Sequence, residues 1–168
     1  MSPPSHPSQS PNALLRHPAG WIASGFGSGF SPRAPGTVGT IAALLPWWWL
    51  RALPLPYYVA TILAAFAIGV WASAWVVRRS GVQDPQLVVW DEFVGVWIAL
   101  VAAPIGWTWM LAGFALFRLF DIWKPWPVSW ADEKIGGGLG VMLDDVFAGI
   151  YALIVIQLAS FILRGHYG

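Results

Sequence analysis

The chain contains no cysteine. That excludes disulfides, thiolate zinc sites, iron–sulfur ligation and a thiol nucleophile. Charge is nearly as scarce: 10% of the 168 residues are charged, and nine basic against eight acidic residues leave a formal net charge of +1. A soluble domain usually carries about 25% charged residues. So few charges do not cover a soluble surface, do not build a broad basic face for nucleic acid, and do not fit a solvated disordered chain. In their place stand 57% hydrophobic residues and 13 tryptophans, a residue type that concentrates where a protein meets the membrane interface. The length is that of one domain.

Residues 1–12 hold four prolines and four serines and lack the basic start and apolar run of a secretory signal. They read as a disordered tail ahead of a single helical domain over 13–168. Leu14 to Ala23 reads equally as a short interfacial helix or a loop. The first punctuation is GFGSGFSPRAPGTVG, Gly25 to Gly39, with five glycines and two prolines. An apolar stretch follows from Val38 to Leu50, ended by RALPLP. Tyr57 to Val77 then runs 21 residues without a charge, a helix of about 30 Å, enough to cross a bilayer.

Arg78 and Arg79 close that span. A helix is expected over Leu87–Ala103, interrupted by charge only at Asp91 and Glu92, and another from Trp107 that ends near Lys124 because Pro125 follows. The Pro104–Gly106 turn makes these two antiparallel neighbours, each short or tilted for a span. Residues 126–143, with glycines at 136–138 and 140, read as a loop. Val146 to Leu163 is a last uncharged segment of span length. There is no internal repeat and no heptad pattern. The basic residues of the short loops put the Arg78–Arg79 end on the cytoplasmic side, with Arg118, Lys124 and Lys134, and Arg51 opposes this alone.

On that topology all eight acids fall near the cytoplasmic face: Asp84, Asp91, Glu92, Asp121, Asp132, Glu133, Asp144 and Asp145. Charges beside apolar segments are expensive and are usually paired or functional. Asp91 and Glu92 interrupt VVWDEFVGVW, either as acids at a helix amino end or as part of a polar site. Arg118, Asp121 and Lys124 recur at a spacing of three. They make either a local ion-pair network or a metal-dependent phosphoryl site, in which carboxylates hold a hard cation and the bases bind phosphate oxygens. Asp144 and Asp145 precede the last segment and fit a helix amino end or a site. Asp132, Glu133 and Lys134 read as solvated loop. The glycine-rich segment lacks the Gly-Lys-Ser/Thr of a P-loop, and Thr37 is placed either to cap the next helix or to touch substrate. His6, His17 and His166 form no metal triad and no serine–histidine–acid arrangement.

Four blocks, GFGSGFSPRAPGTVGT (25–40), VVWDEFVG (88–95), FRLFDIWKPWP (117–127) and GGLGVMLDDVFAG (137–149), come in an order and spacing that resemble the phosphatidylglycerophosphatase A family over about residues 20–160. The resemblance implies an all-α, compact multi-helix integral membrane protein with active-site loops on the cytoplasmic face of the bacterial inner membrane. It implies Mg2+-dependent removal of the terminal phosphate of phosphatidylglycerophosphate. It carries catalytic roles to Asp91, Glu92, Arg118, Asp121, Lys124, Asp144 and Asp145, with Asp91, Glu92, Asp121, Asp144 and Asp145 as metal ligands. Substrate contact falls to Gly27, Ser28, Pro35, Gly36 and Thr37 together with Arg118 and Lys124. Asp84 matches an acid common in the family's intervening loop. With neither cysteine nor a histidine nucleophile in view, attack by a metal-activated water is the first mechanism and an aspartyl-phosphate the second. The expected partners are the phospholipid substrate and the bilayer, with no nucleic acid and no obligate protein partner. The competing functions are a phosphatase for another lipid phosphate, and a transporter or non-catalytic assembly protein.

Overall fold

The computed structural model describes residues 14–167, and side chains to residue 163. The tail over 1–12, with His6, and the side chain of His166 lie outside the described residues. Seven α-helices make up the described chain: α1 Pro18–Ala23, α2 Pro35–Leu50, α3 Leu55–Ser80, α4 Trp90–Ala99, α5 Trp107–Trp123, α6 Val128–Lys134 and α7 Gly137–Tyr167, with a 3-10 turn at Ser28–Phe30.

Helix ends follow local chemistry. Pro18, Pro35 and Pro56 sit in the first turns of α1, α2 and α3, where a missing N–H is no loss and the fixed φ suits a helix. His17 caps α1 by accepting from the Ala19 amide. α3 ends with Arg78 and Arg79 in its last turn, favourable against the helix dipole, and with Gly81 at φ 71° as its left-handed cap. Lys124 caps α5 in the left-handed region (φ 48°) and donates its backbone N–H to Phe120 O, because Pro125 forbids another helical turn.

Packing turns on α4. Its ten residues rise only about 15 Å, and eight of them, from Trp90 to Ala99, are buried. It lies between α2, α3, α5 and α7. A Cβ on Gly149 of α7 would overlap Gly95 O of α4, so a glycine is what lets these two backbones close. Phe117, Leu100 and Met142 fill the surrounding core. Trp90 and Trp97 donate their indole N–H groups to Ala65 O and Ala43 O, each at 2.9 Å, which satisfies buried donors and ties α4 to α3 and α2.

Among the described residues two helices are long and apolar enough to cross a membrane, Leu55–Ser80 and Gly137–Leu163, and about a third or less of the apolar stretch of each is buried against the rest of the protein. Their outward faces carry Leu63, Ile68 and Trp71 on α3 and Ile154, Leu158 and Phe161 on α7.

Several sequence expectations change here. The helix expected over Leu87–Ala103 is confined to Trp90–Ala99, and the segment from Leu14 contains the helix α1. Residues 126–143 are not a loop: they form α6 and the first two turns of α7. Asp144 and Asp145 therefore lie inside a helix, and their placement owes nothing to a helix amino end.

Candidate active site

One end of the bundle gathers the start of α2, the segment after α3, the first turn of α4, the last turn of α5, α6, and the second and third turns of α7. Between them lies a cavity of about 180 Å³ walled by Gly36, Gln83, Asp84, Gln86, Asp91, Glu92, Asp121, Lys124, Asp132, Asp144 and Asp145 among others. Six of the seven residues expected to be catalytic thus face one cavity. The seventh, Arg118, reaches its wall through two ion pairs: its Nη1 lies 2.5 Å from Glu92 Oε1 and 2.6 Å from Asp121 Oδ2.

The spacing of three on α5 does what a helix requires of it. Arg118 and Asp121 fall on one face and pair. Lys124, turned by its left-handed backbone, pairs instead with Asp132 Oδ1 at 2.6 Å and Asp144 Oδ2 at 3.0 Å. On α7, Asp144 Oδ1 accepts the Asp145 amide at 3.1 Å. On α4, Asp91 Oδ1 accepts the Glu92 amide at 2.9 Å.

Asp121, Asp144 and Asp145 each offer a carboxylate oxygen within 4.8 Å of the others'. Asp145 is 3% exposed, and its buried Oδ2 has no hydrogen-bond partner. A buried, unpaired carboxylate oxygen is costly, and a cation held by all three side chains removes that cost. The donor set is oxygen only, which suits a hard divalent ion such as Mg2+.

The wall is strongly acidic. Burial, followed by the neighbouring charge of Asp121, raises the Glu92 carboxyl to about 7 against the opposing pull of Arg118 and Thr40. Burial, then Glu92 and Asp144, raises Asp91 well above the carboxylate range. Asp84 is raised too, chiefly by burial, with Lys124 opposing. Burial disfavours the Lys124 ammonium, yet its bonds to Asp132 and Asp144 outweigh this and hold its pKa above the usual lysine range.

The amino-terminal block divides. Gly36 lines the cavity, and a Cβ there would overlap the Glu92 carboxylate. Gly27 precedes the 3-10 turn at φ 98°. The Ser28 hydroxyl donates to Gly25 O at 2.9 Å and lines a separate apolar cavity with Phe26, Leu45, Trp49 and Phe93. Pro35 and Thr37 are half-buried in the first turn of α2, outside the acidic wall. Thr37 does not cap α2, because the helix starts at Pro35 with Ala34 before it.

Other residues enter the site that the pattern of the sequence left unassigned. Thr40 donates to Glu92 Oε2 at 2.7 Å, one turn beyond Gly36 and on the same helical face, which is its only sequence signal. Asp132, expected in solvated loop, reaches Lys124 from α6. Gln83 and Gln86 line the cavity from an irregular segment.

Residues 21–160 match the family model described as Phosphatidylglycerophosphatase A. A protein of that name from Escherichia coli is 43% identical over 137 residues, 81% of this chain and 80% of the relative. Another of that name, from Haemophilus influenzae, is 44% identical over 144 residues, 84% of this chain and 88% of the relative. A Bacteroides thetaiotaomicron protein, provisionally named a phosphatidylinositol-3-phosphatase, is 45% identical over 150 residues, 84% of this chain and 93% of the relative. No solved structure matches the chain.

Proposed function

The chain belongs to the phosphatidylglycerophosphatase A family, and from that premise we propose that it hydrolyses the terminal phosphate monoester of phosphatidylglycerophosphate, with Mg2+, to phosphatidylglycerol and phosphate. The observation that carries this reading is the convergence of Asp121, Asp144 and Asp145 within 4.8 Å beside the paired bases Arg118 and Lys124. Carboxylates for a hard cation and bases for phosphate oxygens are the two components such a site needs.

Asp121, Asp144 and Asp145 would hold the ion, and Asp91 and Glu92 stand at the same wall. When bound, Mg2+ neutralises phosphate charge and lowers the pKa of a water. The guanidinium of Arg118 grips nonbridging oxygens, and the Lys124 ammonium adds a point charge there or at the leaving oxygen. A wall carboxylate outside the ion's grip orients the attacking water and takes its proton. The water oxygen bonds to phosphorus, the bond from phosphorus to the glycerol oxygen breaks, and that oxygen leaves as the alcohol by taking up the proton the carboxylate received from the water.

The placement suits a lipid substrate. The apolar outward faces of α3 and α7 fit acyl chains, and the acidic cavity sits at one end of the bundle where headgroups lie. Arg78 and Arg79 close α3 just before the cavity-lining Gln83 and Asp84, which by the positive-inside rule supports a site on the cytoplasmic side of a multi-pass inner-membrane domain. Trp123 and Trp126, both exposed, anchor that end at the interface.

The name of the Bacteroides relative favours a second reading, hydrolysis of another lipid phosphate. A substrate panel separates the two: phosphate release by purified protein in mixed micelles of phosphatidylglycerophosphate, phosphatidylinositol 3-phosphate or phosphatidic acid. Fastest release per unit enzyme from phosphatidylglycerophosphate is expected. Faster release from either of the others assigns the site to that lipid.

A further inference from the structure

Glu92 has no free carboxylate oxygen. Oε1 accepts from Arg118 Nη1 at 2.5 Å, and Oε2 accepts from the Thr40 hydroxyl at 2.7 Å. The carboxylate cannot swing toward α2, since the Gly36 backbone stands against Oε1 so closely that a Cβ would overlap it. Thr40 is fully buried and Glu92 is 7% exposed. Asp121, not Glu92, completes the convergent triad with Asp144 and Asp145.

Arg118 shows the consequence. A guanidinium has five N–H donors. Its Nη1 is committed to Glu92 and Asp121, and Nε is buried with no hydrogen-bond partner. What remains for a phosphate oxygen is Nη2, whose N–H groups lie in the guanidinium plane. Fixing Nη1 fixes that plane.

We propose that Thr40 is a positioning residue for phosphate: Thr40 holds Glu92, Glu92 holds Arg118, and Glu92 serves as the anchor of the guanidinium rather than as a metal ligand. This deepens the phosphatase reading and rests on it for the nature of the anion. Thr40 suits the task because a β-branched side chain within a helix has few rotamers; its single hydroxyl proton has two acceptors in reach, Gly36 O at 2.8 Å and Glu92 Oε2 at 2.7 Å, and the carboxylate is the stronger of the two. The result is a chain of contacts from α2 through α4 to α5 that orients a base without touching substrate.

The test uses the full chain in detergent with Mn2+ as metal and inorganic phosphate as anion, comparing Thr40→Val, Thr40→Ser and Glu92→Gln. Titration calorimetry reads phosphate affinity, and Mn2+ electron paramagnetic resonance reads metal affinity. Loss of a buried hydrogen bond to a charged group should weaken phosphate binding by about tenfold or more in Thr40→Val, and raise KM for the lipid in parallel. Thr40→Ser, which keeps the hydroxyl, should stay within about threefold of the wild type. Mn2+ affinity should hold in Thr40→Val and Glu92→Gln while Asp144→Asn loses it. Should Thr40→Val lose its helical circular dichroism, Glu92→Gln carries the test, with weaker phosphate and intact Mn2+ binding expected. Wild-type phosphate affinity in folded Thr40→Val would overturn the proposal, as would loss of Mn2+ in Glu92→Gln equal to that in Asp144→Asn. Because phosphate binding is measured without lipid, a wild type that fails to hydrolyse phosphatidylglycerophosphate overturns the substrate reading alone.

Discussion

Lys124 Nζ lies 2.6 Å from Asp132 Oδ1 and so ties the end of α5 to the short helix α6 across the mouth of the acidic cavity. The pair is partly open, with 30% and 39% of the two side chains exposed. Solvent therefore screens it, and the contact is worth only about 0–1 kcal/mol to stability. Its effect on ligand charge is larger, because Asp132 competes with an incoming phosphate for the same ammonium. Asp132→Asn should melt close to the wild type, and KM for the anionic lipid should fall by about two- to fivefold, the modest yield of relaxing one exposed pair. A rise in KM measured in mixed micelles would mean that Asp132 helps to place Lys124 instead.

Arg118→Lys keeps a positive charge and loses the planar fork. A single ammonium nitrogen cannot keep the contacts of Nη1 to Glu92 and Asp121 and also turn a second, coplanar nitrogen to phosphate. Turnover should fall by about 10- to 100-fold, the cost of one or two charge-assisted bonds, while Mn2+ affinity read by electron paramagnetic resonance stays near that of the wild type. Near-normal turnover would reduce the Arg118–Asp121 pair to scaffold.

Asp121→Asn removes one anionic oxygen ligand at nearly constant size. It should lower activity by about 100-fold or more at limiting Mg2+, the range found for removing one preorganised charge from a catalytic site. Excess Mg2+ should recover part of the loss, since weakened metal affinity is a mass-action effect. Folded Asp121→Asn protein with ordinary turnover across a Mg2+ titration would take Asp121 out of the site.

The helices were legible where apolar runs are long. Tyr57–Val77 lies within α3, and the helix from Trp107 ends at Trp123 because Pro125 fixes its end. The acids and bases of the three carboxyl-terminal blocks were legible because charge in so apolar a chain is itself a signal, and all of them come to one cavity. The region 126–143 was not legible. Its glycines suggest a loop, yet Gly138 and Gly140 stand where α7 presses on Val70 and Ile135, and a Cβ at either would overlap backbone there. These are packing glycines, and tertiary contact overrides their low helix propensity. Asp132 was missed because its segment, VSWADEK, reads as solvated loop, and Thr40 because a bond to a carboxylate 52 residues away leaves no local mark beyond its place one turn after Gly36.

Topology is open to direct labelling, since the chain has no native cysteine. Val82→Cys and Glu133→Cys lie at the cavity end. Ala52→Cys lies at the opposite end, next to Arg51, which lines a cavity with Pro104. In intact cells a membrane-impermeant maleimide should label position 52 only, and permeabilisation should expose 82 and 133. Labelling of 82 and 133 from opposite sides would break the single-faced site.

The most direct measurement is phosphate release from phosphatidylglycerophosphate by purified protein stripped of metal with a chelator and then titrated with Mg2+. The expected result is no release without metal, saturable recovery with Mg2+, and no recovery in a folded protein carrying Asp144→Asn and Asp145→Asn together. Equal release with and without metal, or full Mg2+-dependent release by the doubly substituted protein, would contradict a catalytic cation held by Asp121, Asp144 and Asp145.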